Sequence, residues 1–227
     1  AKSGSKAPTY TDIFSKKIVE LAGRNKDIVA ITAAMPEGCG LLEFRDKFPK
    51  RFFDVGIAEQ HAITSAAGLA AAGLIPVVCI YSSFLQRGFD QIVHDVCLQN
   101  LHVVFAIDRA GLVGADGETH QGIFDVSFLT CIPNMTLLAP KNANELKAAL
   151  EFAIDFDGPI AIRYPRGVAY DSLNEFESKI EFGKGEMLFE ESNIALFAIG
   201  SMVSTAKNLR EKLKSKGFNV SVANARF

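Results

Sequence analysis

The sequence FFDVGIAEQHAITSAAGLAAAG, residues 52–73, decides the fold that we predict for the whole chain. Its first residues, Phe52 to Val55, indicate a short buried strand, and Gly56 then turns the chain into a helix. This helix is rich in alanine, and small side chains let a helix pack closely against a neighbouring backbone. Glu59 lies in the first turn, where an acidic side chain commonly does no more than stabilise the helix dipole. Position alone therefore favours a structural role for Glu59.

Short apolar segments alternate with helical periodicity from residue 9 to residue 180. Asn142 and Glu145 form a predicted cap pair that opens a helix over 143–154. The alternation and the short links predict an α/β fold with a mostly parallel sheet and helices on both faces. Further helices are predicted over 10–25 and 84–100, and further strands at 28–32, 74–83, 103–107, 135–139 and 160–162.

The pattern restarts near residue 181, which predicts a second unit. Strands are predicted within 183–191, 193–200 and 218–225, with an exposed amphipathic helix over 201–217. So few residues cannot bury a full core alone. We therefore predict three parts: a linker or tail at 1–8, a first domain at 9–180, and the beginning of a second, truncated α/β domain at 181–227.

Composition excludes several classes of partner. The chain has 227 residues, 48% of them hydrophobic and 22% charged, and its formal net charge is −2. Such a balance predicts neither a nucleic-acid nor a membrane partner, and there is no apolar run of about 18 residues that would cross a bilayer. The four cysteines are scattered and predict reduced thiols in a reducing compartment. No group of residues has metal-ligand spacing, so no metal site is predicted within this chain.

The phrase D-V-G-I-A-E-Q-H, residues 54–61, resembles the active-site glutamate segment of the thiamine-diphosphate enzymes related to transketolase. The nearest branch is the 1-deoxy-D-xylulose-5-phosphate synthases. The resemblance implies the pyrimidine-binding (Pyr-type) thiamine-diphosphate fold for the first domain. It also implies that Glu59 hydrogen-bonds the cofactor's aminopyrimidine ring and so promotes loss of the thiazolium proton. On this basis Glu59 is a candidate catalytic residue.

A second segment, YSSFLQRGFDQIVHDV at residues 81–96, extends the resemblance. It implies that Phe84 stacks on the aminopyrimidine, that Arg87 lies beside the cofactor, and that the Tyr81 hydroxyl helps to hold the acceptor phosphate. Without the resemblance, Phe84 would be a core residue and Arg87 a surface charge.

The third segment is the loop AIDRAGLVGADGETHQG, residues 106–122. A calcium loop is disfavoured, because the spacing of an EF-hand is absent. Another alternative is that the acidic side chains and the arginine only pair with one another. The resemblance implies that Arg109 binds the acceptor phosphate, and that Asp116 and His120 contact the substrate hydroxyls or the carbanion-like intermediate. Histidine suits proton exchange near neutral pH.

The fourth segment, RYPRG at residues 163–167, follows the last strand of the predicted sheet. Arginine suits phosphate because it donates bidentate, charged hydrogen bonds. The resemblance assigns Arg166 to the acceptor phosphate and leaves Arg163 as a structural residue.

The resemblance covers nearly the whole chain and implies a reaction. It implies thiamine diphosphate as cofactor and the condensation of pyruvate with glyceraldehyde 3-phosphate in a cytoplasmic homodimer, or in the plastid stroma in a plant or alga. The G-D-G…N motif that binds the diphosphate through Mg²⁺ does not occur here, so an amino-terminal domain is expected to supply it and this chain alone to be inactive. The alternatives are a transketolase, a 2-oxoacid dehydrogenase β subunit, or a non-catalytic module of the same fold.

Overall fold

A computed structural model describes residues 7–227, whose strands form a six-stranded and a three-stranded sheet. Of the predicted linker at 1–8, residues 1–6 lie outside the described residues. The Pro8 carbonyl accepts a hydrogen bond from the Ala169 N–H at 2.9 Å, so the chain is already held against the domain there.

The six strands of the larger sheet are all parallel to their neighbours, in the order β2-β1-β3-β4-β6-β5. The predicted parallel sheet is confirmed. Its strands are β1 (Ile28–Thr32), β2 (Phe52–Asp54), β3 (Ile75–Tyr81), β4 (Val104–Asp108), β5 (Thr136–Leu138) and β6 (Ile160–Arg163).

Helices and short helical turns connect these strands. The α-helices are α1 (Tyr10–Arg24), α2 (Leu42–Lys47), α3 (Glu59–Ala71), α4 (Ser82–Leu85), α5 (Phe89–Gln91), α6 (Asp125–Leu129) and α7 (Ala143–Ile154). Short 3₁₀ turns lie at Pro49–Arg51, Gln86–Gly88, Gly114–Asp116 and Glu118–His120, and a π-helical segment lies at Ile92–Cys97.

Helices cover the sheet on both faces, as predicted. Every residue of β1 and of β4 is buried, although successive side chains of a strand point to opposite faces. One layer contains α1, which packs on α2 and α7, while α3 packs on the π-helical segment. The main hydrophobic core lies between these helices and the sheet.

Side-chain caps fix where two of these helices begin. Thr9 and Asp12 form a reciprocal capping box at α1, with hydrogen bonds of 2.8 and 3.1 Å. At α7, Asn142 Oδ1 accepts from the Glu145 N–H at 2.8 Å, which confirms half of the predicted cap pair. The Glu145 carboxylate does not reach back to Asn142, because it accepts the Lys141 N–H instead, at 2.6 Å.

Two local predictions are wrong. The strand at residue 52 is not buried, because β2 is an edge strand and Phe53 is 41% exposed. The predicted continuous helix over 84–100 is broken into α4, a 3₁₀ turn, α5 and the π-helical segment. Close packing on α3 explains the break: a Cβ atom at Gly88 would lie 2.0 Å from Ile63 Cδ1. Periodicity alone does not reveal such an approach.

The smaller sheet contains the predicted strands and helix of the second unit. These are β7 (Glu186–Phe189), β8 (Ile194–Ala198), α8 (Met202–Lys214) and β9 (Val220–Asn224). The strand order is β7-β9-β8, with β7 antiparallel and β8 parallel to β9. Its separate core is small, as predicted, and consists of Leu173, Leu188, Val203, Ala206 and Val222.

A buried charged network joins the two sheets. Glu145 Oε1 accepts hydrogen bonds from Arg226 Nε at 2.8 Å and from Asn224 Nδ2 at 3.0 Å. Lys141 Nζ lies 3.3 Å from Glu145 Oε1 and 2.7 Å from Glu186 Oε2. Burial raises the pKa of Glu186, but hydrogen bonds from Lys141 and Ser178 outweigh it and leave that pKa below its ordinary value. The network therefore links the start of α7 to two parts of the second unit, strand β7 and the segment after β9.

No helix in residues 7–227 is both long and apolar enough to cross a membrane.

We predict that Glu145→Gln lowers the free energy of unfolding by up to about 3–5 kcal/mol, because it removes one of the two buried carboxylates that Lys141 and Arg226 share. Urea unfolding would measure the change. The matched control is Glu181→Gln, which removes an exposed carboxylate paired only with Lys184 and should leave the unfolding curve unchanged. Equal curves for the two variants would show that the network does not hold the sheets together.

Candidate functional site

The predicted site residues form one continuous series of contacts at the carboxyl edge of the larger sheet. Each residue touches the next through an ion pair, a stacked ring or a cation–π contact. In order of contact the series is Glu59, Arg87, Phe84, Tyr81, Arg109, Asp116 and Arg166, with His120 against Phe84. The fold therefore assembles all eight residues that the sequence singled out.

Glu59 is the first residue of α3 and is only 2% exposed. Its carboxylate pairs with the guanidinium of Arg87, whose side chain is half exposed. A glutamate that only complemented the helix dipole could remain in water, whereas Glu59 is buried and its ion-pair partner is a half-exposed arginine. The burial of Glu59 therefore favours a role beyond stabilising α3.

Phe84 is half buried and lies at the centre of the series. Its ring stacks on Tyr81 with centroids 5.7 Å apart and an interplanar angle of 22°. The His120 ring meets it edge-on at 5.1 Å, and the Arg87 guanidinium lies 4.8 Å from its centroid. Phe84 thus packs against the core but is not part of its buried interior. It therefore differs from an ordinary core residue, which is the role that it would have without the resemblance.

Arg109 directly follows β4 in a left-handed conformation, with φ of 58°. Its guanidinium carbon lies 3.8 Å above the ring of Tyr81, the last residue of β3. Burial raises the pKa of Tyr81 to about 12, although the charge of Arg109 opposes this. The Tyr81 hydroxyl consequently keeps its proton at neutral pH and can donate a hydrogen bond.

Asp116 lies between the two arginines predicted to bind phosphate. Its Oδ2 accepts from Arg109 Nε at 2.7 Å, and its Oδ1 lies 2.7 Å from Arg166 Nη1. The predicted alternative, in which the acidic side chains of the loop pair with arginine, is therefore observed for Asp116. It does not exclude ligand binding, because both arginines line an open groove of about 1120 Å³.

The loop that carries Asp116 and His120 is closed at its base. Gly111 and Gly122 exchange hydrogen bonds of 2.6 and 2.8 Å between their N–H and C=O groups. A Cβ atom at Gly122 would lie 2.4 Å from the Arg109 carbonyl oxygen, so only glycine fits this closure. The base of the loop is therefore tied to the backbone of Arg109.

The two arginines of the RYPRG segment have different environments. Arg163 Nε donates to Asp125 Oδ2 at 2.8 Å, and Asp125 is fully buried at the start of α6. Arg166 is partly exposed and faces the groove. The structure thus holds Arg163 in a structural pair and leaves Arg166 facing solvent.

Sequence reasoning missed two residues of the groove, Thr11 and Gly38, and named Asp108 as part of the 106–122 loop without giving it a role. Asp108 accepts a hydrogen bond from Thr11 Oγ1 at 2.7 Å, across 97 residues of sequence. Gly38 offers its carbonyl to Arg109 Nη1 at 3.2 Å, and a Cβ atom there would lie 1.7 Å from the Tyr81 hydroxyl. No sequence signal pointed to Thr11.

Within residues 7–227 no three or more histidine, cysteine or acidic side chains are grouped so that they could hold a metal ion. The four cysteines are free thiols, of which Cys131 is exposed and the other three are buried.

Comparison with known proteins identifies the larger unit. Residues 6–170 match the family model described as the pyrimidine-binding domain of transketolase. The chain is 60% identical over 219 residues to a 1-deoxy-D-xylulose-5-phosphate synthase of Lachnoclostridium phytofermentans, a match that covers 96% of this chain and 35% of the relative. The synthase of Aquifex aeolicus is 56% identical, over 98% of this chain and 36% of the relative. The chain therefore spans about a third of the length of the curated relatives it matches.

Solved structures of transketolases have a fold similar to that of this chain. A split-gene transketolase, described as an inactive β4 tetramer, superposes with a TM-score of 0.84 at 30% identity, over 96% of this chain and 71% of that chain. A transketolase of Campylobacter jejuni superposes with a TM-score of 0.85 over 99% of this chain and 36% of that chain, and at 20% identity it supports the fold alone. With the domain match, these likenesses show that the chain belongs to the transketolase family through its pyrimidine-binding domain.

Proposed function

We propose that this chain forms the part of a 1-deoxy-D-xylulose-5-phosphate synthase that activates thiamine diphosphate and binds the phosphate of the acceptor. The reaction condenses pyruvate with glyceraldehyde 3-phosphate and releases carbon dioxide. The observation that carries the proposal is the unbroken series of contacts from buried Glu59 to Arg166. The relatives that carry this name are 53–60% identical to the chain, whereas the transketolase structures are 18–30% identical, which favours the synthase over a transketolase.

The residues present fit the aminopyrimidine ring of the cofactor. Glu59 offers a buried carboxylate and Phe84 a half-buried aromatic surface, which suit a planar nitrogen heterocycle. Beside Phe84, the hydroxyls of Ser82 and Ser83 are buried and have no hydrogen-bond partner among the described residues. Unpartnered buried hydroxyls are uncommon and indicate a place for a polar ligand or an ordered water. When bound, thiamine diphosphate supplies the carbon nucleophile and the electron sink for decarboxylation.

In this proposal Glu59 binds the ring nitrogen and holds the proton that the ring exchanges. Its fixed position in the first turn of α3 limits the motion of the carboxylate, and its burial strengthens the hydrogen bond. Arg87 pairs with Glu59 and covers Phe84, but its side chain is half exposed. It can therefore turn toward solvent when a ring docks on Phe84.

Arg109 and Arg166 bind the acceptor phosphate at the other end of the series. The two guanidinium groups already converge on one carboxylate, that of Asp116, so their geometry suits a single shared anion. Tyr81 adds a hydroxyl donor. Asp116 and His120 then face the substrate hydroxyls or the reacting carbon, and the loop of residues 111–122 orients them.

We further propose that residues 9–180 are the pyrimidine-binding domain, that residues 181–227 begin the next domain, and that a homodimer in a reducing compartment such as the bacterial cytoplasm is the active form. The diphosphate and Mg²⁺ are held by the amino-terminal domain that such enzymes carry. The split-gene transketolase chain, of which this chain covers 71%, is described as inactive in its β4 form. By analogy we expect this chain alone to be inactive.

A chimaera tests the proposal directly. Residues 7–227 would replace the matching region of the L. phytofermentans relative to give a completed enzyme, with that relative as the positive control. We expect 1-deoxy-D-xylulose 5-phosphate from pyruvate and glyceraldehyde 3-phosphate. A folded chimaera that instead transfers ketol groups between sugar phosphates would indicate a transketolase. One that does neither, while its parent is active, would indicate a non-catalytic module.

We predict that Glu59→Gln in the completed enzyme lowers kcat for pyruvate decarboxylation by about 10²–10⁴-fold, the usual contribution of a positioned proton-transfer group. Glutamine keeps the size of the side chain but cannot hold the proton. The matched control is Glu43→Gln, an exposed α2 glutamate paired only with Lys47. Full activity of Glu59→Gln would refute the catalytic assignment.

We predict that Arg166→Met raises KM for glyceraldehyde 3-phosphate by roughly ten- to hundredfold, because a hydrogen bond to a charged group contributes about 1.5–3 kcal/mol. KM for pyruvate should not change. Unphosphorylated glyceraldehyde serves as the comparison acceptor, and its KM should be insensitive to the substitution. The control variant is Arg45→Met, which alters an exposed arginine on α2. An equal rise for both acceptors would contradict phosphate recognition by Arg166.

A further inference from the structure

We infer that Asp108 and Thr11 are positioning residues, which fix the backbone of Arg109 so that its guanidinium points at the anion in the groove. The inference rests on the proposed function only for the identity of that anion. Thr11 lines the groove together with Arg109 and Arg166, whereas Asp108 is buried and accepts the backbone N–H of Arg109.

Both oxygens of the Asp108 carboxylate are engaged. Asp108 is the last residue of β4 and is fully buried. Its Oδ1 accepts the Arg109 N–H at 2.6 Å, and its Oδ2 accepts the Thr11 hydroxyl at 2.7 Å. Thr11 belongs to the first turn of α1. The carboxylate therefore connects the start of α1 to the backbone N–H of the arginine.

The backbone of Arg109 needs such support. Its φ of 58° lies in the left-handed region, which is unfavourable for a residue with a Cβ atom. An aspartate can offset this by accepting the N–H of the next residue, a local contact that a longer side chain makes less well. The next peptide is held too, since the Ala110 N–H donates to the Tyr164 carbonyl at 3.0 Å.

The direction of the Arg109 side chain follows from this backbone. From the left-handed position the guanidinium crosses the Tyr81 ring and reaches the Gly38 carbonyl and Asp116. In an extended conformation the Cβ atom would point elsewhere, and the side chain would leave the groove. We call the two hydrogen bonds that Asp108 accepts, from the Arg109 N–H and the Thr11 hydroxyl, the clamp. The clamp thus decides where the charge of Arg109 lies.

The charge on Asp108 costs stability at neutral pH. Burial raises its pKa to about 6, although hydrogen bonds from Thr11 and Arg109 oppose this. Because folding raises this pKa, protonated Asp108 stabilises the folded state fully below the unfolded pKa of about 4. This stabilisation is lost as the pH rises through 6. The titratable and charged groups around Asp108 are Cys39, Cys79, Tyr81, Arg109, Asp116 and Tyr164.

The test uses Thr11→Val, which keeps the shape of the side chain and removes only the hydroxyl, in the completed enzyme. Inorganic phosphate is the probe, and calorimetry measures its Kd at pH 8. We expect the Kd for phosphate and the KM for glyceraldehyde 3-phosphate each to rise about five- to tenfold, which is less than the effect of losing a direct hydrogen bond to the phosphate, because Thr11 acts through the backbone of Arg109. The kcat for pyruvate decarboxylation should not change.

Three further variants make the result specific. Thr11→Ser keeps the hydroxyl and should restore phosphate affinity. Asp108→Asn keeps an oxygen that accepts the Arg109 N–H, and its amide nitrogen can donate to the Thr11 hydroxyl oxygen, so it should retain most of that affinity with an unfolding midpoint at pH 8 no lower than that of the unchanged protein. Thr130→Val is the matched control, because the Thr130 hydroxyl bonds only to the Val126 carbonyl of its own helix.

The outcomes separate this inference from the proposed function. If Thr11→Val binds phosphate as tightly as the unchanged protein while the completed enzyme is active, the clamp does not position Arg109 and this inference alone fails. If the completed enzyme is inactive but phosphate binding weakens in Thr11→Val and recovers in Thr11→Ser, the clamp stands and the proposed reaction fails. If the unchanged protein binds no phosphate, both are overturned.

Discussion

The register of the parallel sheet is the constraint on which the site depends. Tyr81 pairs with Asp108 across β3 and β4, and Ile107 pairs with Arg163 across β4 and β6. Three consecutive strands of the sheet therefore end at the same level, and the residues that follow them meet at one edge. A shift of one residue would turn every side chain of a strand to the opposite face. Burial of both faces of β4 makes such a shift costly.

The fold class could be predicted because its strands and helices carry local signals. Each central strand is a short apolar run, and the helix caps at Thr9 and Asn142 are readable in the sequence. What could not be predicted depends on distant neighbours. Phe53 reads as buried but lies on an edge strand, and the periodic helix changes its winding around Gly88, where Ile63 of α3 lies close. An apolar pattern shows that a residue can be buried, not what will cover it.

In the candidate site, too, local sequence motifs could be recognised, whereas contacts with distant residues could not. The sequence identified its charged and aromatic members because they belong to long, distinctive motifs, although their functional roles stay predictions. Thr11 and Gly38 escaped notice and Asp108 was given no role, since each acts through a contact that only the fold supplies: Thr11 through its hydroxyl, Gly38 through its carbonyl and Asp108 through a buried carboxylate. Residue type alone would assign the first two to an ordinary helix and an ordinary turn.

Burial decides which arginines at this edge can serve a ligand. Arg87, Arg109, Arg163 and Arg166 each pair with a carboxylate, so an incoming phosphate must compete with an internal anion. The partner of Arg163 is fully buried, and separating that pair would leave an uncompensated charge in the interior. The Asp116 side chain is 16% exposed and that of Asp125 is not exposed at all, so separating Asp116 from an arginine costs less. The same difference in desolvation makes one arginine of the RYPRG segment part of the framework and the other available for binding.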